Sequence, residues 1–430
     1  MAQRARKTEY EASRATLSFL QQALAAYHPR DFAVELWDGT RWLQESNQFR
    51  RFTWKINDPA ALRRVIGNAS EVSLSEAYIY DQFDLEGDIL GVFRLADFLL
   101  NKRWTLREKL RLSKMLLDLP SHQRAQTSAV DLQGTAHSRE RDRQAVTYHY
   151  DVSNDFYALW LDRNMVYSCA YFQASDDHLD TAQEQKLDYI CRKLRLKPGE
   201  RLLDIGCGWG GLILHAARHY GVRALGITIS ERQIEFGRKR IEQEGLSEQC
   251  EVRLLDYREL DEPGAYDKLV SVGMVEHVGG SKLPEYFERA FRLLRPGGVF
   301  MNHGIGRAGN RTAPQQPTFT DVYVFPDGEL VPIAAMLDAA EASGFEVRDV
   351  ENLREHYVLT LQQWLRRLEA HSEEARRITD EVKYRIWRLY LAGSCHYFRT
   401  GKLDVYQTLL VKRDQGKSAL PLTREDWYQV

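Results

Sequence analysis

Leu203-Asp204-Ile205-Gly206-Cys207-Gly208-Trp209-Gly210-Gly211 decides how the rest of the chain is read. A short apolar run carrying one acid enters a turn in which four glycines fall within six positions. That pattern predicts a buried parallel strand ending in a tight turn that opens a helix. Glycine there lets the backbone approach a ligand that a side chain would block. The helix N-terminus favours an anion. The spacing is D-x-G-x-G-x-G-G and no Lys follows, which excludes the G-x-x-x-x-G-K-[ST] phosphate loop. A structural turn and a dinucleotide site stay open as alternatives at this point.

Outward from that loop, from about residue 185, helical stretches alternate with buried strands. The strands fall at 201–205, 222–227, 251–255, 267–273, 298–303, 345–350 and 405–411. This is a doubly wound α/β pattern with a mostly parallel seven-stranded sheet. The last strand follows a long helical section and is expected as an antiparallel edge strand. That section, 355–400, exceeds an ordinary crossover and carries Trp364, Trp387, Tyr390, Tyr397 and Phe398. Core packing and an apolar substrate channel both account for such aromatics.

Toward the N-terminus the pattern differs. Residues 32–42 alternate apolar and polar around Asp38-Gly39, which predicts a hairpin. Helices are expected at 59–66 and 90–118. Residues 121–147 are rich in Ser, Gln, Arg, Thr and Asp and poor in large apolar groups, as in a linker. The expected division is a smaller mixed α+β N-terminal accessory domain over 1–120, a linker over 121–147 and a catalytic domain over 148–430 with a helical insertion at about 355–400.

A length of 430 residues favours two domains. With a net charge of −2, nothing global points to nucleic acid. The five cysteines are widely spaced without a C-x-x-C pair, so neither a disulfide framework nor a zinc site is expected, and a reducing cytoplasm fits. The start is polar and charged, without a signal-peptide core. The longest apolar stretch, Ile89 to Leu100, is broken by Arg94 and Asp97 and is too short to span a bilayer.

Candidate site residues cluster at strand ends, where α/β folds bind ligands. The second strand ends in Thr228-Ile229-Ser230, with Gln233 in the next helix, where dinucleotide sheets place an acid; helix capping by Ser230 is compatible with that role. The third ends in Asp256-Tyr257-Arg258, and Asp256 reads either as an acceptor for the adenine amino group or as a turn residue. The fourth ends in Glu276-His277, adjacent groups suited to acid–base work whose side chains diverge, so one of the two faces the reacting centre. The fifth ends in His303-Gly304-Ile305. Upstream, Tyr167-Ser168-Cys169 sits in an aromatic, uncharged context that does not favour a thiolate, and Cys169 reads equally as a structural thiol or a site residue.

Taken together, these motifs resemble those of the cyclopropane fatty acid synthases and their mycolic-acid-modifying relatives. The matches are His149-Tyr150-Asp151, Tyr167 to Phe172, Asp204 to Gly211, Gly226 to Ser230, Glu276 to Gly279, and His303 with Ile305, in order over about 145–412. The N-terminal part resembles the accessory domain of the bacterial phospholipid-acting members. The resemblance implies a Rossmann-like class I methyltransferase using S-adenosylmethionine. Its cofactor set would be Tyr167, Ser168, Asp204, Gly206, Gly208, Gly210, Thr228, Ser230, Gln233, Asp256, Tyr257 and Arg258. It implies methyl transfer to a cis double bond of a phospholipid acyl chain and ring closure through a carbocation. The base would be a bound bicarbonate held by Cys169, Glu276, His303, Ile305 and Tyr357, without a metal. A homodimer is implied by the resemblance alone. Two relatives of this reading stay open: a same-fold enzyme that leaves a methylene or methyl branch, and a small-molecule N-methyltransferase. A catalytically silent lipid-binding protein is the contrasting class, and the intact Gly206, Gly208, Glu276 and His303 argue against it. One departure stands out. Where the family often has a late-helix Cys, this chain has Ser394, with Cys395 one position on, a rotation of about 100°, so Cys395 is expected to be structural.

An acyl chain in a bilayer requires a membrane-facing surface. Residues 102–114 carry six basic groups to one acidic, with Trp104, Leu106 and Leu110. That composition suits either an anionic lipid surface or a solvated helix whose leucines enter the domain core. The expected location is cytoplasmic, peripheral to the inner membrane.

Overall fold

The computed structural model describes residues 2–67, 70–119, 134–135, 137–150, 152–309 and 316–428. By its contacts the chain forms two units. The first comprises Met1–Ala129, Gln316–Tyr323 and Glu381–His396, and the second the remainder.

The first unit holds a sheet in the order β2-β1-β3-β4, from β1 (Phe32–Leu36), β2 (Arg41–Trp42), β3 (Phe52–Ile56) and β4 (Phe83–Gly87). β1 and β2 form the expected hairpin, with Gly39 at φ +83° in its turn; β1 and β3 are parallel. The expected helix over 90–118 is two helices, Leu90–Asn101 and Leu106–Leu117. The break is chemical. Thr105 and Glu108 close a capping box that starts a new helix. Part of the late helix Glu381–Arg399, which the sequence places in the catalytic part, is counted here. The reason is two buried guanidiniums. Arg385 donates to the Tyr78 carbonyl at 2.9 Å, and Arg388 to the Leu85 carbonyl at 3.0 Å and the Tyr78 hydroxyl at 2.9 Å. Cys395 is fully buried in the same helix.

The second unit is built on β5 (Arg201–Ile205), β6 (Arg223–Thr228), β7 (Cys250–Leu254), β8 (Tyr266–Val272), β9 (Leu294–Arg307), β10 (Glu346–Asn352) and β11 (Leu403–Val411), in the order β10-β11-β9-β8-β5-β6-β7. All seven expected strands are present. β11 alone runs against its neighbours, but it lies between β9 and β10, not at the edge. Its sequence explains this, because Val405, Leu409, Leu410 and Val411 are all buried and an edge strand does not need two covered faces. Alternate residues separate the two faces. Leu202, Val270, Met301 and Leu409 enter one apolar cluster, and Leu203, Leu269, Phe300 and Leu410 the other. Strand order reverses at β5 and β8, so a crevice opens at their carboxyl ends.

The expected linker is helical in part. Residues 120–133 of that region lie outside the described residues, but Arg139–Tyr150 is a helix. Its polar residues are partnered, not merely solvated. Arg139 pairs with Glu259, Arg141 with Asp327, and Asp142 with Arg258 at 2.9 Å. Of the motif His149-Tyr150-Asp151, Asp151 lies outside the described residues.

Candidate active site

The crevice at β5 and β8 holds a cavity of about 160 Å³. The Gly-rich loop forms its floor. Gly206, Gly208 and Gly210 have φ of +82°, +55° and +86°, values that L side chains rarely adopt. A Cβ on Gly211 would stand 2.8 Å from the Asn164 carbonyl oxygen, so close packing demands glycine there too.

Of the twelve residues expected around the cofactor, ten line this cavity. Gly210 and Ser230 do not. Gly210 takes the left-handed turn that starts the helix Gly211–Tyr220, and Ser230 caps the helix Glu231–Gln243, its hydroxyl accepting from the Gln233 amide at 3.4 Å. At the end of β6, Thr228 donates to Gln233 Oε1 at 2.7 Å, and both face the cavity. Beyond β7, Arg258 grips Asp256 through two hydrogen bonds of 2.9 and 2.6 Å. Burial alone would raise the Asp256 carboxyl, but these bonds outweigh it and hold the group below its usual range.

The Tyr167–Cys169 loop is braced by groups that sequence reading passed over. Gln183 donates to the Ser168 carbonyl at 2.9 Å, Lys186 to the Ser168 hydroxyl at 2.9 Å, and Thr360 accepts from the Ala170 amide at 3.1 Å. On an amphipathic helix a Gln and a Lys read as solvent-facing, and only their absence of exposure reveals the role. Lys186 is 1% exposed.

Glu276 and His277 diverge as expected. His277 lines the cavity, and burial together with the nearby His137 lowers it to about 4, so it is neutral. Glu276 instead turns to β9, where its Oε1 accepts from the Ile305 amide at 2.7 Å. Burial pushes its carboxyl up to about 7, and its Oε2 is buried without a partner. Two residues back on the same face of β9 is His303, whose buried Nε2 also lacks a partner. Gln407 Nε2 lies 3.3 Å from His303 Nδ1. A donating amide there leaves the imidazole proton on Nε2, and burial, then Lys186 and Lys193, hold the ring neutral.

Cys169 and Tyr357 reach this strand through Leu353. The Leu353 amide donates to Val405 of β11, which pairs with Ile305. The Leu353 carbonyl accepts from the Tyr357 amide at 3.1 Å and lies 3.7 Å from the Cys169 sulfur. Burial raises the Cys169 thiol far above its usual value, so it is protonated. None of Cys169, Glu276, His303, Ile305 and Tyr357 lines this cavity.

The aromatic groups of the late helices divide. Trp364 and Phe398 join a wall with Tyr167 and Tyr357, at centroid distances of 5.3 Å for Tyr167–Trp364, 5.9 Å for Tyr357–Trp364 and 4.6 Å for Tyr357–Phe398. Trp387 and Tyr390 pack on each other in the first unit. Among the described residues no group of His, Cys, Asp and Glu is arranged to hold a metal.

Residues 137–408 match the family described as mycolic acid cyclopropane synthetase. A Pseudomonas putida protein named "Probable fatty acid methyltransferase" is 40% identical over 420 residues, 96% of this chain and 100% of that protein. Cyclopropane mycolic acid synthase 1 of Mycobacterium tuberculosis is 36% identical over 61% of this chain and 94% of its own length. Among solved structures, a cyclopropane synthase from Mycobacterium tuberculosis is similar with a TM-score of 0.60 and 34% identity, over 62% of this chain and 97% of that one. A mycolic acid cyclopropane synthase complexed with SAH and CTAB is similar with a TM-score of 0.59 and 34% identity, over 62% and 97%.

Proposed function

The chain belongs to the mycolic acid cyclopropane synthetase family, and on that premise we propose that it cyclopropanates the cis double bond of an unsaturated phospholipid acyl chain. It is an S-adenosylmethionine-dependent methyltransferase acting on fatty acyl chains. The observation that carries the finer reading is the pair of orphaned polar atoms, Glu276 Oε2 and His303 Nε2, buried at one strand end. Leaving two such atoms unpaired costs on the order of 1–3 kcal/mol each. A small oxyanion satisfies both, since a protonated Glu276 and an Nε2–H of His303 each donate.

S-adenosylmethionine, when bound, supplies an electrophilic methyl on sulfur. Bicarbonate fits the donor set at Glu276 and His303 and, when bound, supplies the base that takes a proton from the transferred methyl. The chain's own residues do the rest. Tyr167, Tyr357, Trp364 and Phe398 present aromatic faces that favour positive charge on the alkyl chain and keep water away. Cys169, protonated, shapes the wall and is not a nucleophile.

A second reading, methyl or methylene branching in place of ring closure, is favoured by the fatty acid methyltransferase name of the full-length relative. Both start from the same cation: ring closure loses a proton of the transferred methyl directly, and a methylene branch loses it after a hydride shift from the methyl-bearing carbon, while a saturated methyl branch needs in addition an external hydride donor. Incubation with S-adenosylmethionine, bicarbonate and dioleoyl phosphatidylglycerol vesicles, followed by mass analysis and ring-opening fragmentation of the acyl chains, distinguishes them. A gain of one CH₂ with a ring supports the first reading; the same gain with an intact alkene or branch supports the second. No gain overturns both.

Access to such a substrate fits the helix Leu106–Leu117, which buries none of its residues. Leu106, Leu110 and Leu117 are 74%, 64% and 68% exposed, so the leucines do not enter the core. At spacings of four and seven they share one helix face. Arg107, Arg111 and Lys114 flank that stripe on one side and Lys109 on the other, which suits an anionic lipid surface. No helix among the described residues is long and apolar enough to cross a membrane. Sedimentation with anionic vesicles is expected to be lost in Arg107→Glu/Arg111→Glu; unchanged sedimentation would sink this docking mode.

A further inference from the structure

The helix Leu179–Leu194 sends Lys186 into the interior, where Nζ donates to Ser168 Oγ. Among the described residues no carboxylate stands within salt-bridge distance of that ammonium. Asp162 is its strongest acidic neighbour. Both Asp162 oxygens, however, are taken by backbone amides, those of Asn164 and Val166, at 2.8 Å each. An acid on the same cavity is Asp204, near the end of β5. It is 2% exposed, and its Oδ1 is buried without a partner among the described residues. Lys186 and Asp204 line the same cavity.

Burying an uncompensated ammonium and an uncompensated carboxylate is costly, and natural proteins rarely do it without a ligand that completes the pairs. The two groups feel each other without touching. Burial pulls Lys186 down to about 8 and pushes Asp204 up to about 7, and each is partly restored by the other's charge. A cavity that offers one buried cation and one buried anion is complementary to a zwitterion, and the amino-acid end of S-adenosylmethionine is one. The polar groups of Thr228, Gln233 and Asp256 on the same cavity, which would take the ribose and adenine end, are by contrast already engaged in hydrogen bonds with the chain.

We infer that Lys186, with the Ser168 hydroxyl it holds, recognises the α-carboxylate of S-adenosylmethionine, while Asp204 faces the α-ammonium. This rests on the reading of the cavity as the methyl-donor site. It assigns a role to a residue outside the Gly-rich loop, and it explains why Ser168 is held from beneath by a lysine and not by a neutral donor. A lysine that only tethered Ser168 would serve the loop equally for any ligand. One that reads the carboxylate discriminates between ligands that carry it and those that do not.

Equilibrium binding by calorimetry to the full chain tests this with three probes. These are S-adenosylmethionine, its decarboxylated analogue, and 5′-methylthioadenosine, which lacks the whole amino-acid end. The wild-type protein is expected to prefer S-adenosylmethionine over the decarboxylated analogue by about 30-fold, the scale of a hydrogen bond between charged groups. Lys186→Met is expected to lose that preference, with affinity for the other two probes changed by less than about threefold. Retained binding of 5′-methylthioadenosine reports an intact fold. If Lys186→Met loses it, Lys186→Gln, which keeps a donor toward Ser168, carries the comparison. Equal affinity of the wild-type protein for S-adenosylmethionine and its decarboxylated analogue overturns the inference. So does an equal loss for both in the variants. Failure of the wild-type protein to bind any of the three would instead remove the methyl-donor reading itself.

Discussion

The carboxyl ends of β5, β6 and β7, and those of β8 and β9 with the antiparallel β11 beside them, lie on one rim of the second unit, yet they are built differently. On the first side Asp204, the Gly-rich loop, Thr228 and Asp256 lie at or just beyond the ends of their own strands, and Thr228 and Asp256 are paired within a few residues, with Gln233 and Arg258. On the second side Cys169, Glu276, His303, Tyr357 and Gln407 come from five distant segments, and Glu276 and His303 each keep a buried polar atom unpaired. On the proposed reading, recognition of a constant cofactor tolerates such local, self-satisfied groups. A site for transient charge needs groups held apart from their own partners, and only long-range packing does that.

The largest expected effect breaks the two sides apart. Glu276→Gln and His303→Ala should reduce turnover by about 10³-fold or more, while the dissociation constant for S-adenosylmethionine, measured by calorimetry, moves little. A matching loss of cofactor affinity would mean that the two sides are not separable. Glu276 also carries a pH signature. Its folded value of about 7 lies above the 4.5 of the free side chain, so between those values the folded chain holds a proton that the unfolded chain has released. Stability therefore falls as pH rises from about 4.5 to 7, by roughly 3 kcal/mol. Denaturant melts of Glu276→Gln should lack that slope; an identical slope would place the titration elsewhere.

On the cofactor side, Gly211→Ala sets a Cβ against the Asn164 carbonyl. A loss of about 1–3 kcal/mol is expected from such overpacking, read as a lower thermal midpoint together with weaker S-adenosylmethionine binding. An unchanged midpoint would show that the Asn164 loop yields freely. The smallest effect is expected from Cys169→Ser, which keeps a protonated donor at that position. Turnover should remain within about tenfold of wild type; a loss as large as that of His303→Ala would restore a thiolate role.

Much of this was legible beforehand. The strand positions follow from short apolar runs bounded by Gly and polar turns, and these are local signals. The Gly-rich loop, Thr228, Gln233 and Asp256 are likewise local, because each sits where its own strand ends. Two readings failed for a shared reason. The polar run at 139–147 looked like linker because its partners, Glu259, Asp327 and Arg258, lie more than a hundred residues away. The strand expected at 405–411 was placed at the edge, since the pairing of β10 outside it joins a distant segment.

By itself the sequence determined the alternation of strands and helices, the left-handed glycine turns and the order of motifs that marks the family. Each depends on backbone conformation and on neighbours within a turn or two. Only the tertiary structure decided which buried polar groups keep an unpaired atom, Asp204 in the cavity and Glu276 and His303 near β9, and that the Lys186 ammonium meets a hydroxyl and no carboxylate. The physical reason is that pairing is a property of space. A carboxylate or an ammonium becomes chemically significant when burial removes its water and distant chain segments decline to replace it.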